Sequence, residues 1–170
     1  RPSGRVQRER IDGVLLFDKP PGLSSNQAMM NVRRLMAAAK AGHGGTLDPM
    51  ATGLLPLLFG EATKFAHDLL DADKTYLAEM TLGTRTDTGD SEGAVIATAP
   101  CTSTRDDVLR AAAGFIGDID QVPPMYSALK RDGKPLYAYA REGVTLERAA
   151  RRVTIHAIDI VDVDLPRVSL

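Results

Sequence analysis

The residues from 42 to 53 read Gly-His-Gly-Gly-Thr-Leu-Asp-Pro-Met-Ala-Thr-Gly, and Gly60-Glu61-Ala62-Thr63-Lys64-Phe65 follows closely. Four glycines in twelve residues allow backbone conformations that side chains would obstruct, and Pro49 restricts Asp48 to an extended geometry. Asp48 is thus a carboxylate on a stiff loop. The commoner use of an aspartate in such a place is to cap a turn. The chemical use is as a nucleophile or base in a rigid concave site. Other templates fail: the chain has no Gly-x-x-x-x-Gly-Lys-Ser/Thr phosphate loop, no paired cysteines and no His-Glu-x-x-His. His43, His67 and His156 lie far apart in sequence, and lone histidines are more often structural than ligands, so no metal site is expected.

A length of 170 residues suits one ordinary domain, in which roughly two-thirds of the unfolded surface can be buried without disulfides or metals. With 44% hydrophobic and 25% charged residues, a wholly disordered or collagen-like chain is excluded. The longest nearly unbroken apolar run, residues 54–59, is interrupted by Pro56 and falls far short of the roughly 18 residues of a spanning helix, so no membrane partner is expected. Cys101 is alone, which fits a reducing, cytoplasmic setting. A net charge of −1 argues against non-specific coating of nucleic acid and leaves room for a polyanion where basic residues cluster.

Around the loop, residues 14–17 read as a short strand ending in Asp18-Lys19-Pro20-Pro21-Gly22. Ser24 and Gln27 have capping-box spacing, and Ala28, Met29, Val32, Leu35, Met36 and Ala39 recur at helical intervals until Gly42. Residues 54–59 read as a buried strand, and 61–70 as a helix with Ala62, Phe65, Ala66, Leu69 and Leu70 inward. Residues 75–82 alternate as a strand with Tyr76, Ala78, Met80 and Leu82 on one face. A turn at 87–93 returns the chain as a strand at 94–98. Thr104 and Asp107 cap a helix carrying Val108, Leu109, Ala112 and Phe115. A turn at 131–134 precedes a helix-like piece at 136–142, and 153–165 is a β-branched, alternating stretch. Residues 1–10, with Arg1, Arg5, Arg8 and Arg10, read as a basic flexible arm, and no interior linker divides residues 11–170.

Strands and helices intermix without a strict β-α repeat, so the expected class is α+β: one mixed, largely antiparallel sheet with flanking helices. Leu165-Pro166-Arg167 reads as a turn, and residues 168–170 begin a returning strand. The expectation is an N-terminal fragment, truncated at its C-terminus, with an exposed apolar edge where later strands would pair.

The run at 42–53 resembles the signature loop of the TruB family of pseudouridine synthases. Asp18-Lys19-Pro20-Pro21-Gly22-Leu23-Ser24-Ser25 resembles the family's first motif, Lys74-Thr75-Tyr76 its second, and Arg85-Thr86-Asp87-Thr88 with Asp90 a following turn. Pro124-Met125-Tyr126-Ser127-Ala128-Leu129-Lys130 and Leu136-Tyr137-Ala138-Tyr139-Ala140-Arg141-Glu142-Gly143 resemble its RNA-gripping insertion, about residues 123–152. The similarity runs in order from residue 11 to 152. Many members carry Thr, Ser or Ala at Gly44, a departure expected to loosen the loop and leave the nucleophile intact. The family's later arginine motif and the C-terminal PUA domain would lie beyond Leu170.

The resemblance implies a pseudouridine synthase-like fold and a tRNA pseudouridine(55) synthase of bacterial type, an isomerase needing no cofactor, with the tRNA T stem-loop as partner and no obligate protein partner. It implies Asp48 as the catalytic carboxylate, which suits a step that builds positive charge at C1′ of the ribose. Attack at C1′, addition to C6 of uracil and removal of a ribose proton remain open to it. Tyr76 would stack on a flipped uracil, and His43 would contact the RNA where the target is extruded. Asp90 would partner the later arginine. Lys19 would hold the motif loops together or meet a phosphate, as would Lys64. Lys130 and Arg141 would grip RNA within an insertion where cations interleave with Tyr126, Tyr137 and Tyr139. The competing reading is a tRNA-binding or remodelling module without chemistry. A third is the related catalytic subunit of guide-RNA particles.

Overall fold

The computed structural model describes residues 8–127 and 129–170. Arg1 and Arg5 of the basic arm, and Ala128 of the insertion motif, lie outside the described residues. Two compact units are distinguishable, one ending at Lys74 and the other beginning at Thr75. No shift of composition marks that boundary in the sequence.

The first unit is built on a three-stranded antiparallel sheet: β1 (Gly13–Lys19) and β2 (Ala41–His43) flank the central β3 (Gly53–Phe59). Seven residue pairs run from Gly13↔Phe59 to Lys19↔Gly53. Alternation along β3 sends Leu55, Leu57 and Phe59 into a core with Ala28 and Met29 of the helix α1 (Ser25–Leu35) and with Ala38. Pro56 is tolerated in a central strand because β2 has ended opposite it. Only the Pro56 carbonyl is needed there, and it accepts from Gly44 N–H at 2.9 Å. The expected capping box of α1 is present: Ser24 accepts from Gln27 N–H, and the Gln27 side chain accepts from Ser24 N–H.

The helix is shorter than the apolar spacing predicts. It ends at Leu35, which is 86% exposed, and Ala37 turns to a φ of +50°. Arg33 reaches past that end to the Ala38 and Ala39 carbonyls, at 3.2 and 2.7 Å, which fixes the turn that stops it. Residues 61–70 divide into a 3₁₀ helix (Gly60–Phe65) and the short α2 (Ala66–Leu70), with Phe65 and Leu70 exposed instead of inward. Asp12 starts this element from a distance: its carboxylate accepts from Glu61 N–H at 2.6 Å.

The second unit has short strands and three helical turns or fewer per helix. β4 (Glu79–Thr81) packs at the edge of a sheet β11-β12-β4, with β11 (Asp162–Asp164) and β12 (Arg167–Ser169) forming the expected terminal hairpin. β5 (Thr84–Thr86) and β6 (Val95–Thr98) form a second hairpin. α3 (Arg105–Ala113) carries the expected Thr104/Asp107 capping box and precedes β7 (Gly117–Gln121), which pairs with β10 (Arg151–Ile155). Between these, β8 (Lys130–Arg131) and β9 (Lys134–Pro135) close on Asp132 and Gly133, both at positive φ, and lead into α4 (Leu136–Arg141).

Every ladder between the named strands is antiparallel, as expected for the α+β class, but the ladders fall into five small sheets instead of one. Among the described residues of the second unit the buried hydrophobics are Val108, Leu136 and Val168, so hairpins pair locally with little common core to join them. The strand expected at 75–82 shrinks to β4, although Ala78 still exchanges two backbone bonds with Leu170 at 2.8 and 2.9 Å. Val168 is fully buried, and β12 has a neighbour on each side, so the returning strand is central in its sheet where an unpaired edge was expected.

Candidate active site

Asp48 sits in the loop between β2 and β3 with its side chain exposed. The backbone on both sides of it is tied down. Before it, Leu47 N–H donates to Ser25 Oγ at 2.8 Å, and the Ser25 hydroxyl donates to Leu47 C=O at 3.1 Å. After it, the Pro49 carbonyl accepts from Gly22 N–H at 2.7 Å and from Lys19 Nζ at 3.3 Å. Ala51 N–H closes the turn onto Asp48 C=O at 3.0 Å. Adjacent serines divide the labour: Ser24 caps α1, while buried Ser25 points from its first turn to the loop.

Lys19, at the end of β1, is 0% exposed. Its Nζ donates to the carbonyls of Pro20, Leu23 and Pro49 at 3.0, 2.7 and 3.3 Å. An ammonium has three N–H donors, and each is directed at a carbonyl dipole that offsets the loss of water. The cation therefore staples the Pro-Pro-Gly loop to the Asp48 loop and has no donor left for a phosphate. His43 ends β2 opposite Leu57, and its Nδ1 is hydrogen-bonded to the Gly45 carbonyl, folding the ring onto the glycine loop. Gly44 is buried, and a Cβ there would lie 2.6 Å from Cδ1 and 2.8 Å from Cβ of Leu69. Leu69 fills the space a larger residue would use, so the glycine closes the packing where a looser loop was expected.

Lys64 forms an exposed ion pair with Glu61, one 3₁₀ turn away. Their mutual hydrogen bond, with the charge attraction, raises the lysine above its ordinary pKa and lowers the glutamate below its own. Among the residues just described, Asp48, His43, Lys19 and Lys64 all belong to the first unit.

In the second unit, Tyr76 precedes β4 in an irregular stretch and is 63% exposed, not an inward strand position. Asp90 lies in the β5–β6 hairpin loop, where its carboxylate accepts from the Thr88 hydroxyl at 2.6 Å and Glu92 N–H at 2.9 Å. Gly89-Asp90-Ser91-Glu92-Gly93 has the spacing of a nucleophile elbow, but it joins two strands of a hairpin instead of a strand to a helix. The loop and the insertion border a cavity of about 490 Å³, lined by Arg85, Asp87, Tyr126, Ala140, Val144 and Arg148 among others.

The seven insertion cations divide sharply. Lys134 is held by Glu142 at 2.6 Å and Arg152 by Asp120 at 3.1 Å. Arg131 donates to the Glu147 carbonyl and Arg148 to those of Pro123 and Leu146, while Arg151 meets the Gln121 side chain. Lys130 is exposed, and Arg141 lies over the Tyr137 ring at 5.3 Å. Among the described residues these two donate to no carbonyl, amide or carboxylate oxygen, unlike the other five.

Ser25, Gly22 and Leu47 are the positioning residues that local sequence reasoning missed. The available signal was a polar residue at a buried position in the first turn of an amphipathic helix; its partner, 22 residues away, left no local trace.

The sequence model described as TruB family pseudouridylate synthase (N terminal domain) matches residues 33–170. A protein named tRNA pseudouridine synthase B from Aromatoleum aromaticum is 65% identical over 160 residues, covering 94% of this chain and 52% of that one. One of the same name from Cupriavidus metallidurans is 64% identical over 162 residues, covering 95% and 52%. The chain spans about half the length of the curated relatives it matches. Among solved structures, a crystal structure of a Cbf5-Nop10-Gar1 complex aligns with a TM-score of 0.66 at 28% identity, over 96% of this chain and 38% of that one. An H/ACA RNP bound to a substrate RNA containing 2'-deoxyuridine aligns at 0.62 and 25%, over 92% and 36%.

Proposed function

The chain belongs to the TruB family of pseudouridylate synthases, and from that premise we propose that it provides the catalytic loop of a cytoplasmic tRNA pseudouridine synthase that isomerises the T-loop uridine at position 55. The reaction breaks the N1–C1′ bond, turns the base and joins C5 to C1′; the proton leaving C5 is balanced by the one gained at N1. One observation carries the reading: Asp48 presents an exposed carboxylate while the backbone before and after it is pinned by Ser25, Gly22 and Lys19. Such preorganisation suits a group that must meet positive charge developing at C1′.

The remaining roles are those that the family resemblance implies, and residue chemistry and exposure support them. Tyr76, exposed, offers a stacking face for an extruded base. His43 borders the catalytic loop as an RNA contact. Lys64 stays cationic and, being exposed, meets phosphate from outside, whereas Lys19 acts from inside as the loop staple. Lys130 and the Arg141–Tyr137 stack grip the T stem-loop. Asp90 orders the hairpin loop and awaits a cationic partner. The 65% identity to a protein named tRNA pseudouridine synthase B, against 28% to a chain of the Cbf5-Nop10-Gar1 complex, favours action without a guide RNA.

The test is incubation of the chain with an unmodified tRNA transcript, carbodiimide mapping of pseudouridine, and a parallel filter-binding titration. Product at the T-loop uridine, abolished by Asp48→Asn with binding retained, is expected. Retained product in Asp48→Asn would overturn the role of Asp48, and wild-type binding without product would favour a module that grips tRNA without chemistry.

A further inference from the structure

Residues 8–10 and 33–40 carry five cations, Arg8, Arg10, Arg33, Arg34 and Lys40, against one carboxylate, Glu9, in a chain whose net charge is −1. The structure draws these two stretches together. Glu9 N–H donates to Ala37 C=O at 2.7 Å, and Ala39 N–H donates back to Glu9 C=O at 2.8 Å, forming a parallel bridge with Ala38. Arg33 is spent on the Ala38 and Ala39 carbonyls, which stiffens the turn that receives the arm. Arg8 and Arg10 flank the bridged residue, and both are exposed, as are Arg34 and Lys40.

Among the described residues, none of those four exposed cations has a carboxylate within ion-pair distance. Lys40 feels Glu61, but that charge is already paired with Lys64. Asp12, the next acid along the arm, is committed to Glu61 N–H. The result is a surface of net positive charge, on which four exposed cations face the single carboxylate of Glu9. It stands apart from the catalytic loop: Ser25 touches that loop from one end of α1, and Arg34 is near the other end, about 14 Å away at 1.5 Å per residue.

We propose that this docked arm is a second RNA contact, binding the phosphate backbone of the same tRNA away from the modified uridine. The proposal rests on the tRNA reading of Asp48. Phosphate is the fitting partner because exposed guanidinium and ammonium groups match its charge and geometry, and in an A-form stem the deep, narrow groove keeps such side chains from the base edges, so the patch adds affinity without sequence preference. An acidic protein surface would offer carboxylates to the same groups, and the experiment separates the two.

The experiment compares the chain with its R8Q/R10Q variant in filter-binding titrations of unmodified tRNA across a salt series, with circular dichroism melts as a fold control. Affinity is expected to fall several-fold, equally for tRNAs of different sequence, and the slope of log Kd against log salt to drop by roughly two. Product formation at saturating tRNA is expected to stay unchanged. Unaltered affinity and slope in a folded R8Q/R10Q variant would overturn the proposal and leave an acidic partner as the reading of the patch. Failure of the wild type to bind tRNA at all would instead overturn the tRNA reading on which it rests.

Discussion

The hydroxyl of Ser25 holds Leu47 by both polar groups of its backbone, accepting from the N–H at 2.8 Å and donating to the C=O at 3.1 Å. Leu47 also packs against the core formed by β3 and α1, so the residue before Asp48 is fixed by apolar and polar contacts together. The carboxylate is thereby referred to the helix and not only to its own loop.

Ser25→Ala removes both bonds and leaves a buried N–H and C=O without partners, which costs about 1–3 kcal/mol. Because Ser25 is buried, tRNA affinity is expected to stay near wild type while turnover falls about tenfold or more through a less constrained Asp48. Stopped turnover assays alongside filter binding check this; equal losses in kcat and affinity would contradict a positioning role.

Lys19→Met keeps the aliphatic stem but strands the Pro20 and Leu23 carbonyls and leaves the Pro49 carbonyl with its Gly22 N–H bond alone. Hydrogen bonds to a charged group contribute about 1.5–3 kcal/mol, so an unfolding free energy lower by at least about 2 kcal/mol is expected from urea titration. Lys19→Arg should not rescue it, since a planar fork cannot address three carbonyls converging on one point. A neutral Lys19→Met would show that the staple contributes nothing to the loop.

Local chemistry was legible in the sequence wherever the partners are close in the chain. The capping boxes of Ser24/Gln27 and Thr104/Asp107, and the Asp132-Gly133 turn, appear as read because their bonds span three residues or fewer. Periodicity overran where contacts it does not register decided: Arg33 captures the Ala38 carbonyl five residues on and Glu9 bridges Ala37 and Ala39 from far back in the chain at the end of α1, and Asp12 starts the 3₁₀ helix from 49 residues away. Asp48 stood out for its stiff loop, yet Ser25 did not, because its bond to Leu47 leaves no spacing rule. The strand expected at Tyr76 failed for another reason: β4 is an edge strand whose pairing depends on β12, far along the chain.

Gly44→Ala is expected to destabilise the first unit by about 1–3 kcal/mol, the usual cost of forcing an added methyl into filled space. The obstacle is specific, since a Cβ would lie 2.8 Å from Leu69 Cβ, an atom that cannot swing aside by rotation of its own side chain. Leu69→Ala leaves that Cβ and removes Cδ1, so it should return only part of the loss in the double mutant. A thermal-melt double-mutant cycle with no coupling between the two positions would refute the contact.

The two capped helices predict opposite responses to acid. α1 is capped by Ser24 and Gln27, neither of which titrates in that range, whereas the α3 box uses Asp107. Hydrogen bonds from the Thr104 backbone and hydroxyl, aided by Arg110, hold the Asp107 carboxyl below its usual pKa. A carboxyl depressed in the folded state favours folding above its unfolded value, about 3.9, and loses that contribution as pH falls through the lower folded value. Amide exchange followed from neutral pH into that acid window should therefore show the start of α3, at Thr104, Asp107 and Val108, losing protection while the first turn of α1 keeps it. In Asp107→Asn the α3 response should flatten, because the amide can still accept the Thr104 bonds but carries no charge to lose. Equal fraying of both helices, or an acid response that survives in Asp107→Asn, would place the sensitivity elsewhere.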